Sequence, residues 1–194
     1  GLRLLFNGMY GNHNTHGFDV TGSGIFEKYS GSVGFMDYST AGFRPNNNLD
    51  QMIFSAFGQV ELTADTMAQI EVRRRELSSG DRTLFFDPRS AQLARRDAND
   101  STSVRFGFRH ELSPNSDVIF NVNYRQRDTD VVFIDFLNVN QDNAGVSVEG
   151  QYQSSTYLSP FGTGHVPLTL IAGLGHSGLN IDELEQDFTV CLLY

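Results

Sequence analysis

The chain has 194 residues, with 16 Phe, 7 Tyr, 19 Gly, 5 Pro, 1 Cys, no Trp and a formal net charge of -9. An acidic chain repels a phosphate backbone, which argues against a nucleic-acid partner. The lone Cys191 excludes an internal disulfide or a cysteine metal site, and no apolar run of about 18 residues exists to form a transmembrane helix.

In chain order, Leu2 to Phe6 reads directly as strand, so we expect a processed or truncated chain that starts inside a domain, with no signal peptide. Alternating apolar and polar residues around Leu2 to Tyr10, Phe18 to Phe26 and Tyr29 to Phe35 predict strands, with a short turn near Glu27. Polar Ser39 to Asp50 predicts a long loop. Met52, Phe54, Ala56, Gly58, Val60 and Leu62 then alternate with Ser55, Gln59 and Glu61. After Thr63-Ala64-Asp65, Ala68, Ile70 and Val72 alternate with Gln69, Glu71, Arg73 and Arg75. That is a hairpin whose register sets Leu62 near Thr66, Val60 beside Ala68 and Gln59 beside Gln69.

A second long loop is expected over Ser78 to Asp100, mobile and outside the sheet because of its charge. Its Leu84-Phe85-Phe86 would extend the strand or tuck onto a rim. Val104, Phe106, Phe108, His110 and Leu112 next fall on one face, against Ser103, Arg105, Gly107, Arg109 and Glu111 on the other. Across the turn Ser113-Pro114-Asn115-Ser116, Val118, Phe120, Val122 and Tyr124 oppose Asn121, Asn123, Arg125 and Arg127, with Ile119 an apolar exception. Phe106 and Phe108 are thereby predicted to share a face with Phe120 and Val122. Asp128 to Asn143 predicts a third long loop. Strands follow around Ala144 to Tyr152, Leu168 to Leu174 and Phe188 to Tyr194, while Ser154 to His165 is long where a short turn is expected.

Short turns and long polar connections thus alternate, which is the rhythm of an outer-membrane barrel with short periplasmic turns and long external loops. We expect an all-β, antiparallel, up-and-down transmembrane barrel or partial barrel of about ten strands, one incomplete domain over residues 1–194. The polar face carries Arg73, Arg75, Arg105, Arg109, Arg125 and Arg127 with Glu61, Glu71 and Glu111. Arg and Glu on adjacent strands can pair across the ladder, so these nine residues are the expected lumen lining. Tyr10, Tyr29, Tyr38, Tyr124 and Tyr152 are the candidates for an interfacial aromatic girdle, which here lacks Trp. The competing reading is a soluble or surface-exposed antiparallel β-sandwich binding module, with its apolar face turned inward.

Phe26-Glu27-Lys28-Tyr29-Ser30, Thr40-Ala41-Gly42-Phe43-Arg44-Pro45-Asn46-Asn47 and Leu49-Asp50-Gln51 carry a family resemblance. So do Leu84-Phe85-Phe86-Asp87-Pro88, Arg105 to His110 and Ser113 to Asp117. These stretches resemble the C-terminal barrel region of bacterial tetratricopeptide-repeat outer-membrane proteins, whose barrels are similar to those of TonB-dependent receptors. The resemblance covers roughly Ile25 to Tyr152 and extends on to Ile171–His176. It implies a location in the bacterial outer membrane, contact with its lipid, and a tetratricopeptide-repeat region of the same full-length protein as partner. The chain departs from the pattern in having no repeat helices before the strands.

Chemistry-bearing constellations are weak. Gly175-His176-Ser177-Gly178 lacks the last glycine of a nucleophile elbow, since position 179 is Leu, and Ser30 to Gly34 lacks the first. His13 and His16 want a third metal ligand. Asp97, Asp100, Asp128, Asp130 and Asp135 supply oxygens without the spacing of a calcium loop. No cofactor, metal or enzymatic activity is expected.

Overall fold

The computed structural model describes residues 1–83, 92–134, 137–158 and 166–188. Nine strands form one antiparallel sheet in up-and-down order: β1 (Leu2–Tyr10), β2 (His16–Phe26), β3 (Tyr29–Thr40), β4 (Leu49–Thr63), β5 (Thr66–Ser79), β6 (Arg96–Ser113), β7 (Ser116–Ile134), β8 (Leu137–Leu158) and β9 (Val166–Phe188). Among the described residues the sheet is not closed, so β1 and β9 are its edges. The expected last strand over Phe188 to Tyr194 lies outside the described residues beyond Phe188, as does Leu84-Phe85-Phe86.

The hairpin registers follow from the alternation. Val60 pairs with Ala68 and Gln59 with Gln69, while the closing pair is Thr63 with Thr66 because a bulge between Glu61 and Thr63 displaces Leu62. The same device recurs at the next short turn. A bulge lies between Glu111 and Ser113, Ser113 pairs with Ser116, and their hydroxyls meet at 2.7 Å. Phe106 pairs with Val122 and Phe108 with Phe120. The short turns are also linked. Glu61 N–H donates to the Lys28 carbonyl, Glu111 N–H to that of Asp65 and Ser155 N–H to that of Asn115.

Two expected loops are corrected. Asp128 to Asn143 is mostly strand, with β7 and β8 paired from Asp128–Asp142 out to Ile134–Leu137. Ser78 and Ser79 belong to β5 and Arg96 to Asp100 to β6, paired as Ser78–Ala98 and Ser79–Asp97. Ladder bonds are made by backbone, so a strand with two wet faces pairs as well as an amphipathic one but carries no apolar alternation.

Following the register across all nine strands sorts the side chains into two faces. One carries Leu4, Phe6, Phe18, Val33, Phe54, Ile70, Phe106, Phe120, Val146 and Leu174. Most of these are substantially exposed, Leu174 at 86% and Phe6 at 67%. Leu77 is the one buried hydrophobic residue among the described residues. Among the described residues the sheet is therefore a single layer whose apolar face has nothing packed on it. Tyr10, Tyr29, Tyr124 and Tyr152 lie on this face, but Tyr38 pairs with Gly17 and Gln51 on the other, which removes it from the expected girdle.

Candidate functional site

The opposite, polar face collects every residue expected to line a lumen. Glu61 pairs with Met67, Glu71 with Arg105, Arg109 with Ile119 and Glu111 with Asp117, all on one side of the sheet with Arg73, Arg75, Arg125 and Arg127. Two grooves open on this side. One groove of about 460 Å³ is lined by Gln69, Arg105, Arg109, Asn121, Asn123 and Ser147. Another of about 570 Å³ is lined by Asn123, Arg125, Arg127, Gln141, Asn143 and Ser177.

The nine residues separate into two groups. Arg105 reaches Glu71 at 3.2 Å, and Arg109 reaches Asp117 at 2.9 Å, an acid the sequence reading did not single out. Nearer the long-loop end lies a group without acids. Arg73 is opposite Ser55 and Ser103, Arg75 opposite Ile53 and Ser101, Arg125 opposite Ser103 and Gly145, and Arg127 opposite Ser101 and Asn143. Four arginines on β5 and β7 thus flank two serines on β6. The Nε of Arg75 and the Oδ1 of Asn143 are buried there without a hydrogen-bond partner.

The acids at this height lie on the other face. Glu76, Asp100, Asp128 and Asp142 are consecutive register partners on four adjacent strands. Like charges directly opposite repel, so this row is tolerated only where water reaches it. Among the described residues no three side chains of metal-ligating type converge. His13 stands in the β1–β2 connection and His16 opens β2. Gly175 to Gly178 runs inside β9, with His176 opposite Val148 and Ser177 opposite Ser147, so it is no strand-to-helix elbow.

The second feature is a latch that alternation could not reveal. Asp81 is wholly buried, and Ser79 is 1% exposed. The Asp81 carboxylate accepts from the Thr83 hydroxyl at 2.6 Å, the Thr83 N–H at 2.9 Å and the Gln92 N–H at 3.0 Å, with Arg44 at 3.4 Å. These donors, the Thr83 hydroxyl first, hold its pKa down at about 2. Arg44 also donates to the Asp81 and Thr83 carbonyls, and Asn47 Nδ2 to the Asp81 carbonyl at 2.8 Å. Asn46 Nδ2 donates to the Gln92 and Arg95 carbonyls. The β3–β4 connection is thereby tied to the residues after β5 and before β6. Leu77 and Ser79, buried beneath it, belong to the polar face, whereas Ser78 between them is exposed, so the latch leans over the polar side. This corrects the expectation of a solvated Ser78 to Asp100 loop at its described ends. The sequence signal was present in Gly42, Asn46, Asn47 and Gly80, small and amide residues suited to tight crossings.

No family model matches the chain, and no curated protein matches it.

Proposed function

We propose that the chain is part of an outer-membrane β-barrel that forms or contributes to a passage across the bacterial outer membrane. The observation that carries this reading is the pairing of two opposite faces on one layer. Among the described residues the apolar face is extensive and bare, and the opposite face is charge-rich and carries two broad grooves. In a soluble sandwich the apolar face is covered by a second sheet about 10 Å away. In a transmembrane barrel lipid covers it, and the polar face lines water. Val104 to Leu112 supplies about nine residues of apolar alternation, close to the length a tilted strand needs to cross hydrocarbon. The resemblance to barrels of tetratricopeptide-repeat outer-membrane proteins supports the same location, with repeat helices of the full-length protein as the partner.

Extraction tests the proposal. Expressed with an outer-membrane export signal, the chain should sediment with membranes, resist carbonate washing and dissolve only in detergent. Recovery as a soluble monomer without detergent would favour the sandwich module.

A further inference from the structure

We propose that Arg73, Arg75, Arg125 and Arg127 form a binding site for a small multiply charged anion bearing phosphoryl or carboxylate groups. The site rests on the arginine geometry; that its ligand is a solute in transit rests on the function proposed above. The four guanidiniums come from β5 and β7, which are separated by β6, a span of roughly 10 Å at about 4.8 Å per strand. Between them the β6 residues are Ser101 and Ser103, small hydroxyl side chains that leave room and add donors. Every residue directly opposite the four arginines is uncharged.

On the neighbouring stretch of this face the chain neutralises its arginines. Arg105 has Glu71 and Arg109 has Asp117. Even on the far face, Arg74, between Arg73 and Arg75, holds Glu76 at 2.7 Å. In a chain of net charge -9, with acids in excess, four clustered arginines without a carboxylate opposite them define a place for an external anion. Like charges this close repel one another, and a bound anion relieves that repulsion. The guanidinium fork meets a phosphate or carboxylate in two parallel hydrogen bonds, and the buried Arg75 Nε has an unused N–H to give. Ser101, Ser103 and the nearby Asn143 complete a lining with no opposing charge.

The full chain, folded in neutral detergent micelles, is titrated calorimetrically with inorganic pyrophosphate at low salt, and separately with citrate. Saturable binding is expected, weakening steeply as sodium chloride is added. Arg125→Gln with Arg127→Gln should weaken it at least tenfold. These two side chains are exposed, so the variant is expected to keep its β circular dichroism. Arg74→Gln removes one arginine charge from the opposite face and should change affinity less than twofold. Absence of saturable binding, or equal losses in Arg74→Gln and the double variant, would overturn the site. Phosphatidylglycerol added to the micelles should not compete; competition would make the ligand a lipid headgroup and overturn the solute assignment. Pyrophosphate binding by a protein that ignores membranes would keep the site and remove the passage. Membrane insertion without anion binding would do the reverse.

Discussion

Asp81 shows how much one carboxylate can hold in a sheet with almost no buried core. Its pKa lies near 2 when folded against an ordinary 3.8, so its stabilising contribution is complete above about pH 4. It is lost as the pH falls through about 2, because protonation removes the charge that Thr83, Gln92 and Arg44 stabilise. Spin labels at exposed Pro45 and Arg82, on a Cys191→Ser background, should give a narrow distance distribution at pH 7 and at pH 4. The distribution should broaden below pH 2, and Asp81→Asn should broaden it at every pH. The aromatic residues make a different prediction. Phe108 and Phe120 are cross-strand partners on the apolar face. Among fluid lipid chains, Phe108→Leu with Phe120→Leu should shift a urea transition in liposomes very little. A packed protein interior would lose on the order of 1 kcal/mol or more per site through imperfect repacking.

At the level of elements, the pairing register of the two central hairpins was legible, apart from the bulges beside their turns, because each presents one apolar face, and a slip of one residue would invert every side chain. The ends of β5, β6, β7 and β8 were not legible. There the apolar–polar alternation is interrupted by Asp, Asn, Ser and Thr on both faces, so pairs such as Asp128–Asp142 and Ser79–Asp97 form on the backbone ladder while the sequence looks like loop. The latch escaped notice for a related reason. The bonds that the side chains of Arg44, Asn46 and Asn47 donate across it join residues 34 to 49 positions apart, and no local pattern encodes them. Its geometry nonetheless depends on particular residues. Gly42 has φ +75°, and a Cβ there would sit 2.0 Å from the Asn47 carbonyl oxygen; at Gly80 a Cβ would sit 2.1 Å from that of Asn46. Gly42→Ala should therefore open the latch at a cost of about 1–3 kcal/mol. Proteolysis should then cut residues 43–48 at least tenfold faster, while the β6–β7 hairpin stays intact.

For the molecule as a whole, an arginine cluster and a row of acids lie back to back across the thickness of one sheet. The four arginines around Ser101 and Ser103 lie on the polar face, and Glu76, Asp100, Asp128 and Asp142 lie on the other, above the apolar band. The apolar stretch toward the short turns then gives the band its place. Because β1 and β9 have the same direction in an up-and-down sheet of nine, they cannot meet as antiparallel neighbours. Closing an all-antiparallel barrel requires an odd number of further strands between these edges. The absence of Trp permits a direct test of which face meets lipid. Phe120→Trp reports the apolar face and Asn121→Trp, the next residue, the polar one. Each variant is folded into liposomes containing brominated acyl chains, and fluorescence is read against unbrominated lipid. Strong quenching and a blue-shifted emission at position 120, with weak quenching at 121, is the predicted result; equal quenching at both, or none at 120, would contradict a lipid-facing apolar face.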